Sequence, residues 1–142
     1  SVHPTEPEAN PLKAWMESHD KLLGTPEDTF VLPAHNLPFF GVRERLRQLI
    51  DHHEERMSAL EEFCVEPQTA QALLPILFKR KLDPRQTMMA LGEAIAHCHL
   101  LMYRDRIART LHEDGAYRFT ATDPGHAQEP RLDTRDDVPT LA

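Results

Sequence analysis

The clearest pattern in the sequence is a helical repeat of apolar residues between positions 41 and 63. These residues recur every three or four positions and form one stripe over more than about five turns: Val42, Leu46, Leu49, Ile50, His53, Met57, Leu60 and Phe63. Pro67 cannot continue a helix, so we expect the helix to begin at Gly41 and to end before Pro67.

A shorter helix and a strand are predicted ahead of this long helix. Asn10 followed by Pro11 is a favourable N-cap and first-turn combination, and the apolar stripe that follows ends at Gly24. This pattern predicts a helix over residues 11–23. Residues 29–33 are β-branched and aromatic and are bounded by prolines, so we predict a buried strand there, followed by a loop over 34–40.

Two further helices are predicted in the second half of the chain. Thr69 is a plausible N-cap ahead of apolar residues 73–78, although Pro75 should kink that helix or remove its first turns. Asp83 and Pro84 repeat the cap and first-turn combination. Apolar spacing assigns the core face of the helix that follows to Met88, Leu91, Gly92, Ile95, Cys98 or His99, and Met102.

The last predicted element is a β-hairpin. Residues 106–112 and 116–122 are strand-like, and the Asp114-Gly115 pair between them favours a type I′ turn with positive φ at both central residues. Three helices followed by a hairpin is the order of a winged-helix domain. We therefore predict an α+β, mostly helical chain with a first unit over 1–65, a winged-helix domain over 66–122 and a disordered tail over 123–142. The predicted core of the winged-helix domain comprises Leu73, Leu77, Met88, Leu91 and Ile95.

Composition limits the classes of protein that the sequence can encode. The longest apolar run, residues 95–102, contains two histidines and is shorter than the ~20 apolar residues that span a bilayer, so we expect no membrane protein. Cys64 and Cys98 lack CxxC spacing, which argues against a disulfide scaffold or a thiolate zinc site and favours the cytoplasm. The 142 residues begin with Ser1 and show no secretion signal, so we expect a processed chain or a fragment.

Charge is distributed unevenly along the chain. Residues 1–65 carry a net −6, residues 66–120 a net +2 and residues 121–142 a net −3. In a winged-helix domain the predicted helix after Asp83 would be the recognition helix. It carries mainly Gln86, Thr87, Glu93 and His97 and has no series of Arg or Asn residues that would reach base edges. We therefore do not expect nucleic-acid binding, and we interpret as a solvated face the basic cluster formed by Lys79, Arg80, Lys81, Arg85, Arg104, Arg106 and Arg109.

Histidines are the candidate chemical groups. His35 follows the predicted strand and lies between Pro33 and Pro38, so a rigid loop would hold its neutral imidazole at the edge of a site, as metal ligation requires. His52 and His53 are neighbours on a helix and point about 100° apart, so they cannot chelate one ion. We expect His53 to be a hydrogen-bonded core or interface residue.

Other chemical signals are weaker. His97 and His99 are two positions apart and therefore cannot share a helical face. We expect them to lie against the packed face of the helix and in solvent. The sequence contains no phosphate-binding glycine motif, no GxSxG and no HExxH pattern. It therefore gives no support for a phosphate loop, a serine hydrolase or a zincin protease.

The region around His35 resembles part of a known family. Residues 32–39, Leu-Pro-Ala-His-Asn-Leu-Pro-Phe, lie between a predicted strand and a long helix that carries Arg45, His52, His53 and Arg56. This arrangement is similar to the C-terminal end of metallo-β-lactamase-fold hydrolases. Residues 66–120, with Ala72-Leu73-Leu74-Pro75, Leu82-Asp83-Pro84 and Ala90-Leu91-Gly92-Glu93, resemble the winged-helix domain attached to one branch of that superfamily.

The resemblance implies that His35 matches the last ligand of a two-zinc site, the histidine of a Pro-Gly/Ser-His-Gly motif. Asn36 replaces the usual glycine, which puts the conformation of the loop in question. The family's His-x-His-x-Asp-His motif lies upstream of this segment and is not in the sequence. A water-activating metal needs several ligands, so we expect the 142 residues alone to be inactive and not to bind zinc.

The expected parent is a zinc-dependent hydrolase of an ester, thioester, lactam, lactone or phosphodiester, with its upstream half as the partner of this chain. The winged-helix part would form a lid at the substrate entrance or a subunit contact in a homodimer. Two alternatives remain open. The chain would otherwise be a winged-helix nucleic-acid binder, or a protein-interaction module that dimerises through the long helix over residues 42–63.

Overall fold

A computed structural model of the chain describes residues 1–123. All but the first residue of the tail predicted over 123–142 lies outside the described residues. The described part contains α1 (Pro11–Ser18), α2 (Val42–Phe63), α3 (Leu74–Leu77), α4 (Pro84–Tyr103) and a hairpin of β1 (Ile107–Leu111) and β2 (Tyr117–Ala121). None of the helices in residues 1–123 is long and apolar enough to cross a membrane.

The first two helices follow the predictions from the sequence closely. Asn10 caps α1, because its side-chain Oδ1 accepts the Lys13 backbone N–H at 3.2 Å. A 3₁₀ turn over His19–Leu22 then extends α1 to about the predicted end. The long helix α2 begins after Gly41, which has a φ of +84°, and ends at Phe63 as expected.

The predicted buried strand over residues 29–33 is wrong. Only Val31 pairs with another segment, through two backbone hydrogen bonds to Phe39. Phe30 is 56% exposed and Leu32 is 73% exposed. Strand propensity describes how a residue fits a half-buried sheet surface, and within residues 1–123 no sheet forms beside this segment. The segment therefore remains an extended loop closed by one bridge.

The caps of α3 and α4 differ in strength. Thr69 Oγ1 accepts the Ala72 N–H at 3.1 Å and so caps the turn before α3 instead of α3 itself. Pro75 lies in the first turn of α3, which spans only four residues. Asp83 and Gln86 form a capping box at the start of α4, where each side chain accepts the backbone N–H of the other residue at 2.8 and 3.2 Å.

Helix α4 is the central element, and its predicted core face is partly wrong. Met88 is 71% exposed, and Leu91 and Ile95 are half-buried, whereas the helix from Ala96 to Leu101 is buried without interruption. The reason is that α1, α2, α3 and β1 all contact α4, so more than one stripe is covered. His97 and His99 are consequently both buried, and the expectation that solvent would surround one of them is wrong.

The hairpin is confirmed, but its type I′ turn is wrong. The strands pair from Ile107 with Ala121 to Leu111 with Tyr117. In the loop only Gly115 has a positive φ, at +78°, and its N–H donates to the His112 carbonyl at 2.9 Å. The connection over residues 112–116 is longer than a two-residue loop, and hairpins of this length need only one left-handed residue.

The core joins the end of α2 to α3, α4 and the hairpin, and it contains the predicted residues Leu73 and Leu77. Its most deeply buried apolar members are Met57, Leu60, Cys64, Leu73, Ala94, Ala96, Cys98, Leu100 and Leu101. The hairpin is fastened to this core by backbone hydrogen bonds from Ala121 to the Cys64 carbonyl and between Phe119 and Gln68.

The basic cluster is a solvated face only in part. Lys79, Arg80, Lys81 and Arg85 are exposed. Arg106 and Arg109 are half-buried, so the interpretation is wrong for these two. Arg106 binds the carboxylate of Glu61, and Arg109 binds that of Glu8.

Candidate functional site

His35 lies in an exposed loop whose ends are held together. The Val31 N–H donates to the Phe39 carbonyl at 2.8 Å, and the Phe39 N–H donates to the Val31 carbonyl at 3.1 Å. His35 itself is exposed, and the next residue, Asn36, has a φ of +69°. The loop is therefore anchored at its base and presents the imidazole of His35 at the surface.

A metal site needs more donors than this loop provides. Among residues 1–123 no three His, Cys, Asp or Glu side chains are placed so that they would hold one ion. His35 offers a single imidazole, which suits zinc as one ligand of several. Residues 1–123 could therefore supply only part of a metal site, and other residues would have to provide the remaining ligands.

A second histidine cluster lies between α2 and α4. His97 Nδ1 is 2.9 Å from the Glu93 carbonyl oxygen, and His97 Nε2 is 3.1 Å from His53 Nδ1. Because a carbonyl only accepts, His97 carries its proton on Nδ1, and its Nε2 is left as an acceptor for the Nδ1–H of His53. Two neutral imidazoles therefore form a directed chain from α2 to the backbone of α4.

Burial keeps this histidine pair uncharged. His97 has no exposed surface. Burial lowers the pKa of His97, although its hydrogen bond to Glu93 favours the charged form. Burial and the neighbouring His97 lower the pKa of His53 to about 4. Trp15 packs edge-on against the His53 ring at 4.9 Å, and also against His19 at 4.1 Å.

The hydrogen bond of His53 to His97 confirms the prediction of a hydrogen-bonded core or interface residue. His52 is exposed and takes no part in the pair with His97. The sequence spacing did not predict the hydrogen bond of His97 to His53, because the two residues are 44 positions apart in the chain. The available signal was the run of residues 94–102, which has no charged side chain and is typical of a helix buried on most faces.

Glu61 and the two cysteines are also buried, but they take no part in the histidine pair. Glu61 is 1% exposed and accepts hydrogen bonds from Nε and Nη2 of Arg106, with Nε at 2.8 Å. Cys64 and Cys98 are free and buried. Burial raises the pKa of the Cys64 thiol to about 11 and also raises that of Cys98. Neither thiol is a reactive thiolate at neutral pH.

Known proteins similar to this chain are metallo-β-lactamase relatives. Residues 57–122 match the family model described as "Metallo-beta-lactamase-like, C-terminal domain". The chain is similar to the crystal structure of a beta-lactamase domain protein from Burkholderia ambifaria, with a TM-score of 0.82 and 41% identity over 85% of this chain and 36% of that chain. No curated protein sequence matches it.

A second solved structure is a metallo-beta-lactamase family protein from Thermus thermophilus. Its TM-score is 0.63 with 30% identity, and the match covers 79% of this chain and 34% of that chain. The chain thus spans about a third of the length of both solved relatives. The family match and the two structures together show that the chain belongs to the metallo-β-lactamase-like proteins and corresponds to the C-terminal part of such a protein.

Proposed function

We propose that this chain supplies one metal ligand, His35, to a two-zinc hydrolytic site of a longer parent protein. The remaining ligands would come from the upstream half, whose existence the C-terminal family assignment implies. Zinc held in such a site activates water for attack on a carbonyl or phosphoryl group. The role of His35 is to donate the lone pair of a neutral imidazole and to fix one side of the metal.

The conformation of Asn36 is the observation that supports this role most directly. Asn36 stands where the resembling motif has glycine, and its φ of +69° lies in the left-handed region that glycine adopts readily. Asparagine is among the few other residues that tolerate this region. The substitution therefore preserves the backbone geometry that the glycine would provide next to the ligand.

The proposed upstream half also has a surface to pack against. Four large apolar side chains around the His35 loop are mostly exposed: Phe30 at 56%, Leu32 at 73%, Leu37 at 83% and Phe40 at 62%. The rings of Phe30 and Phe40 lie 4.9 Å apart, and large exposed apolar side chains on one short loop typically mark an interface. We assign it to contact with the upstream half, which would cover the surface and bring the remaining ligands to His35.

The helices and hairpin after residue 65 would form an accessory winged-helix unit. Their order, α3, α4, β1 and β2 after the end of α2, supports this assignment. The unit would act as a lid at the substrate entrance or as a subunit contact, and the substrate would be an ester, thioester, lactam, lactone or phosphodiester. The two free buried cysteines fit a reducing cytoplasm.

The first test is to translate the coding DNA upstream of Ser1. We expect a His-x-His-x-Asp-His motif there, and its absence would end the hydrolase proposal. Metal analysis of the longer protein then addresses His35. His35→Ala should remove one zinc equivalent and most hydrolytic activity, whereas His112→Ala, another exposed histidine, should change neither. Unchanged zinc content in His35→Ala would show that His35 is not a ligand.

Asn36 provides a matched pair of variants for the same site. Asn36→Gly should keep the full zinc content, because glycine adopts the left-handed conformation without strain. Asn36→Val should lose zinc, because a β-branched side chain disfavours that conformation strongly. Equal zinc content in both variants would remove the support that the loop conformation gives. The 142-residue chain itself should show no hydrolysis and should bind zinc no better than its His35→Ala variant.

Nucleic-acid binding is the alternative function, and the ion pairs argue against it. Arg109 and Arg118, the two arginines that the hairpin could offer as a wing, are paired with Glu8 and Asp114, and Arg106 of the basic cluster is paired with Glu61. Phosphate affinity depends on the number of cations available for counterion release. Titration with duplex DNA and single-stranded RNA at physiological salt should show no sub-micromolar binding. Tight binding that Lys79, Arg80 and Lys81 substitutions weaken would favour the alternative.

A further inference from the structure

A cleft of about 540 Å³ lies between the N-terminal segment, α4 and the hairpin. Its described lining comes from residues 2–8, 69–71, 88–99 and 109–119, so the His35 loop takes no part in it. The volume falls within the range of clefts that hold small molecules, about 300–1,000 Å³. The cleft is thus separate from the metal site proposed above.

The lining is mainly apolar. Leu91 and Ile95 face the cleft from α4, and Phe119 faces it from β2. Met88 also lines the cleft and is 71% exposed, which is unusual for a residue on an apolar helix stripe. These side chains would lose contact with water if an apolar molecule occupied the space.

One buried polar atom beside this apolar surface lacks a partner. His99 lines the cleft, is 6% exposed and has its Nδ1 2.7 Å from the Ala9 carbonyl oxygen. Because the carbonyl only accepts, Nδ1 carries a proton, and in the neutral imidazole Nε2 is then the acceptor. Nε2 is buried and makes no hydrogen bond. Buried acceptors of this kind are nearly always satisfied in folded proteins.

The charges at the cleft cancel each other. Arg109 Nη2 lies 3.2 and 3.0 Å from the two carboxylate oxygens of Glu8, and its guanidinium lies over the Tyr117 ring at 4.4 Å. The cation is therefore already paired and stacked. This lining does not favour an ionised ligand, because a second anion would compete with Glu8 for the same guanidinium.

We propose that the cleft binds a small, uncharged and mainly apolar molecule whose single hydroxyl or N–H group donates to His99 Nε2. The apolar body would cover Met88, Leu91 and Ile95. The donor would reach Nε2 by a small movement of the side chains that now cover this atom. Binding would thus satisfy the one acceptor that folding leaves unpaired at this place.

A matched pair of compounds tests the donor requirement on the 142-residue chain. The probes are 4-phenylphenol, which carries one hydroxyl, and 4-methoxybiphenyl, in which a methyl group replaces the hydroxyl proton. NMR titration should show binding of the phenol about fivefold or more tightly, as expected for one additional hydrogen bond. The ¹⁵N resonance of His99 Nε2 should move upfield only with the phenol. Equal affinities, or no binding of either compound at its solubility limit, would overturn the proposal.

Two neighbouring methionines, Met88 and Met89, provide matched variants that test whether the compound binds in this cleft. Met88 lines the cleft, whereas Met89 lines a different and smaller cavity and is 65% exposed. Met88→Lys should weaken phenol binding about tenfold or more, since it puts a charge against the apolar body. Met89→Lys should leave binding unchanged. Equal effects of the two substitutions would place the compound elsewhere and overturn the proposal.

The variant His99→Asn distinguishes the role of Nδ1 from the role of Nε2. The asparagine amide N–H can replace the Nδ1 donor to Ala9, but no atom replaces Nε2. The variant should therefore bind both compounds equally. A retained preference for the phenol would overturn the proposal. If the variant does not fold, the compound pair and the Nε2 resonance in the unaltered protein still decide the question.

Discussion

Two regions of this chain treat their large apolar side chains in opposite ways. In the unit formed by the end of α2, α3, α4 and the hairpin, Met57, Leu60 and Leu101 are at most 2% exposed. In the loop over residues 24–40, Leu32 and Leu37 are 73% and 83% exposed. The first region therefore supplies most of the buried core, to which α1 adds Leu12. The second region carries apolar residues for which residues 1–123 provide no cover.

Polar groups show the same contrast. In the first region most buried polar groups have a partner, as Glu61 has Arg106 and His97 has His53, whereas His99 Nε2 and Arg118 Nη1 have none among the described residues. The loop region has one two-bond bridge and an exposed histidine. Paired buried groups of this kind are typical of a protein interior, whereas exposed apolar residues gathered on one loop are typical of an interface.

The largest expected effect compares one leucine from each region. Leu60 has no exposed surface, and Leu37 is 83% exposed. Leu60→Ala should lower the free energy of unfolding by about 2–5 kcal/mol, through lost burial and the cavity left behind. Leu37→Ala should change it by less than about 0.5 kcal/mol. Urea denaturation of the two variants measures this, and similar losses would refute the division into two regions.

A second prediction concerns acid. The pKa of His53 in the folded protein is about 4, below its ordinary value of 6.5. Above pH 6.5 the imidazole is neutral in both the folded and the unfolded chain, so its protonation does not lower the free energy of unfolding there. As the pH falls from 6.5 to 4, the unfolded chain binds a proton that the folded chain excludes. The loss is about 2 kcal/mol, less than the full pKa shift would give, because solvent reaches part of the His53 ring. His53→Phe should flatten the stability profile over this range, whereas His52→Phe should not. Parallel profiles for the two variants would contradict the assignment.

The buried ion pair gives a smaller effect. Glu61 is 1% exposed and Arg106 has 27% side-chain exposure, so removal of the carboxylate leaves a guanidinium that water reaches only partly. Glu61→Gln should lower the free energy of unfolding by about 1–3 kcal/mol. Glu44→Gln breaks the exposed pair with Arg47 and should cost less than about 1 kcal/mol. Thermal denaturation in low and high salt distinguishes the two variants. The loss of stability caused by Glu44→Gln should shrink at high salt, whereas the loss caused by Glu61→Gln should not. An equal shrinkage for both would contradict the burial of the Glu61 pair.

The smallest effect compares two glycines. Gly115 in the hairpin has a φ of +78°, so Gly115→Ala should lower the free energy of unfolding by about 1 kcal/mol, although nothing lies within 4 Å of the added methyl group. Gly24 in the loop region also has open space and no positive φ. Gly24→Ala should have no effect or stabilise the chain slightly. Calorimetry should therefore show a lower melting temperature for the hairpin variant alone.

Local signals in the sequence were sufficient where the structure depends on neighbouring residues. The Asn10 and Asp83 caps, the helix α2 and the pairing of the two hairpin strands form as predicted, although the turn type does not, because capping, helical periodicity and hairpin pairing involve residues close together in the sequence. The prediction of a strand over residues 29–33 was wrong for the opposite reason. A strand needs a distant partner, and its composition cannot supply one.

For the candidate sites, the sequence determined which chemical groups exist, and only the tertiary structure decided which of them meet. His35, the two cysteines and the stripe position of His53 were evident from the residues alone. The pairing of His53 with His97, the burial of Glu61 against Arg106 and the unpaired Nε2 of His99 were not. These features arise because α4 packs against elements from both halves of the chain, and the free energy of a buried polar group depends on the neighbours that such packing places around it.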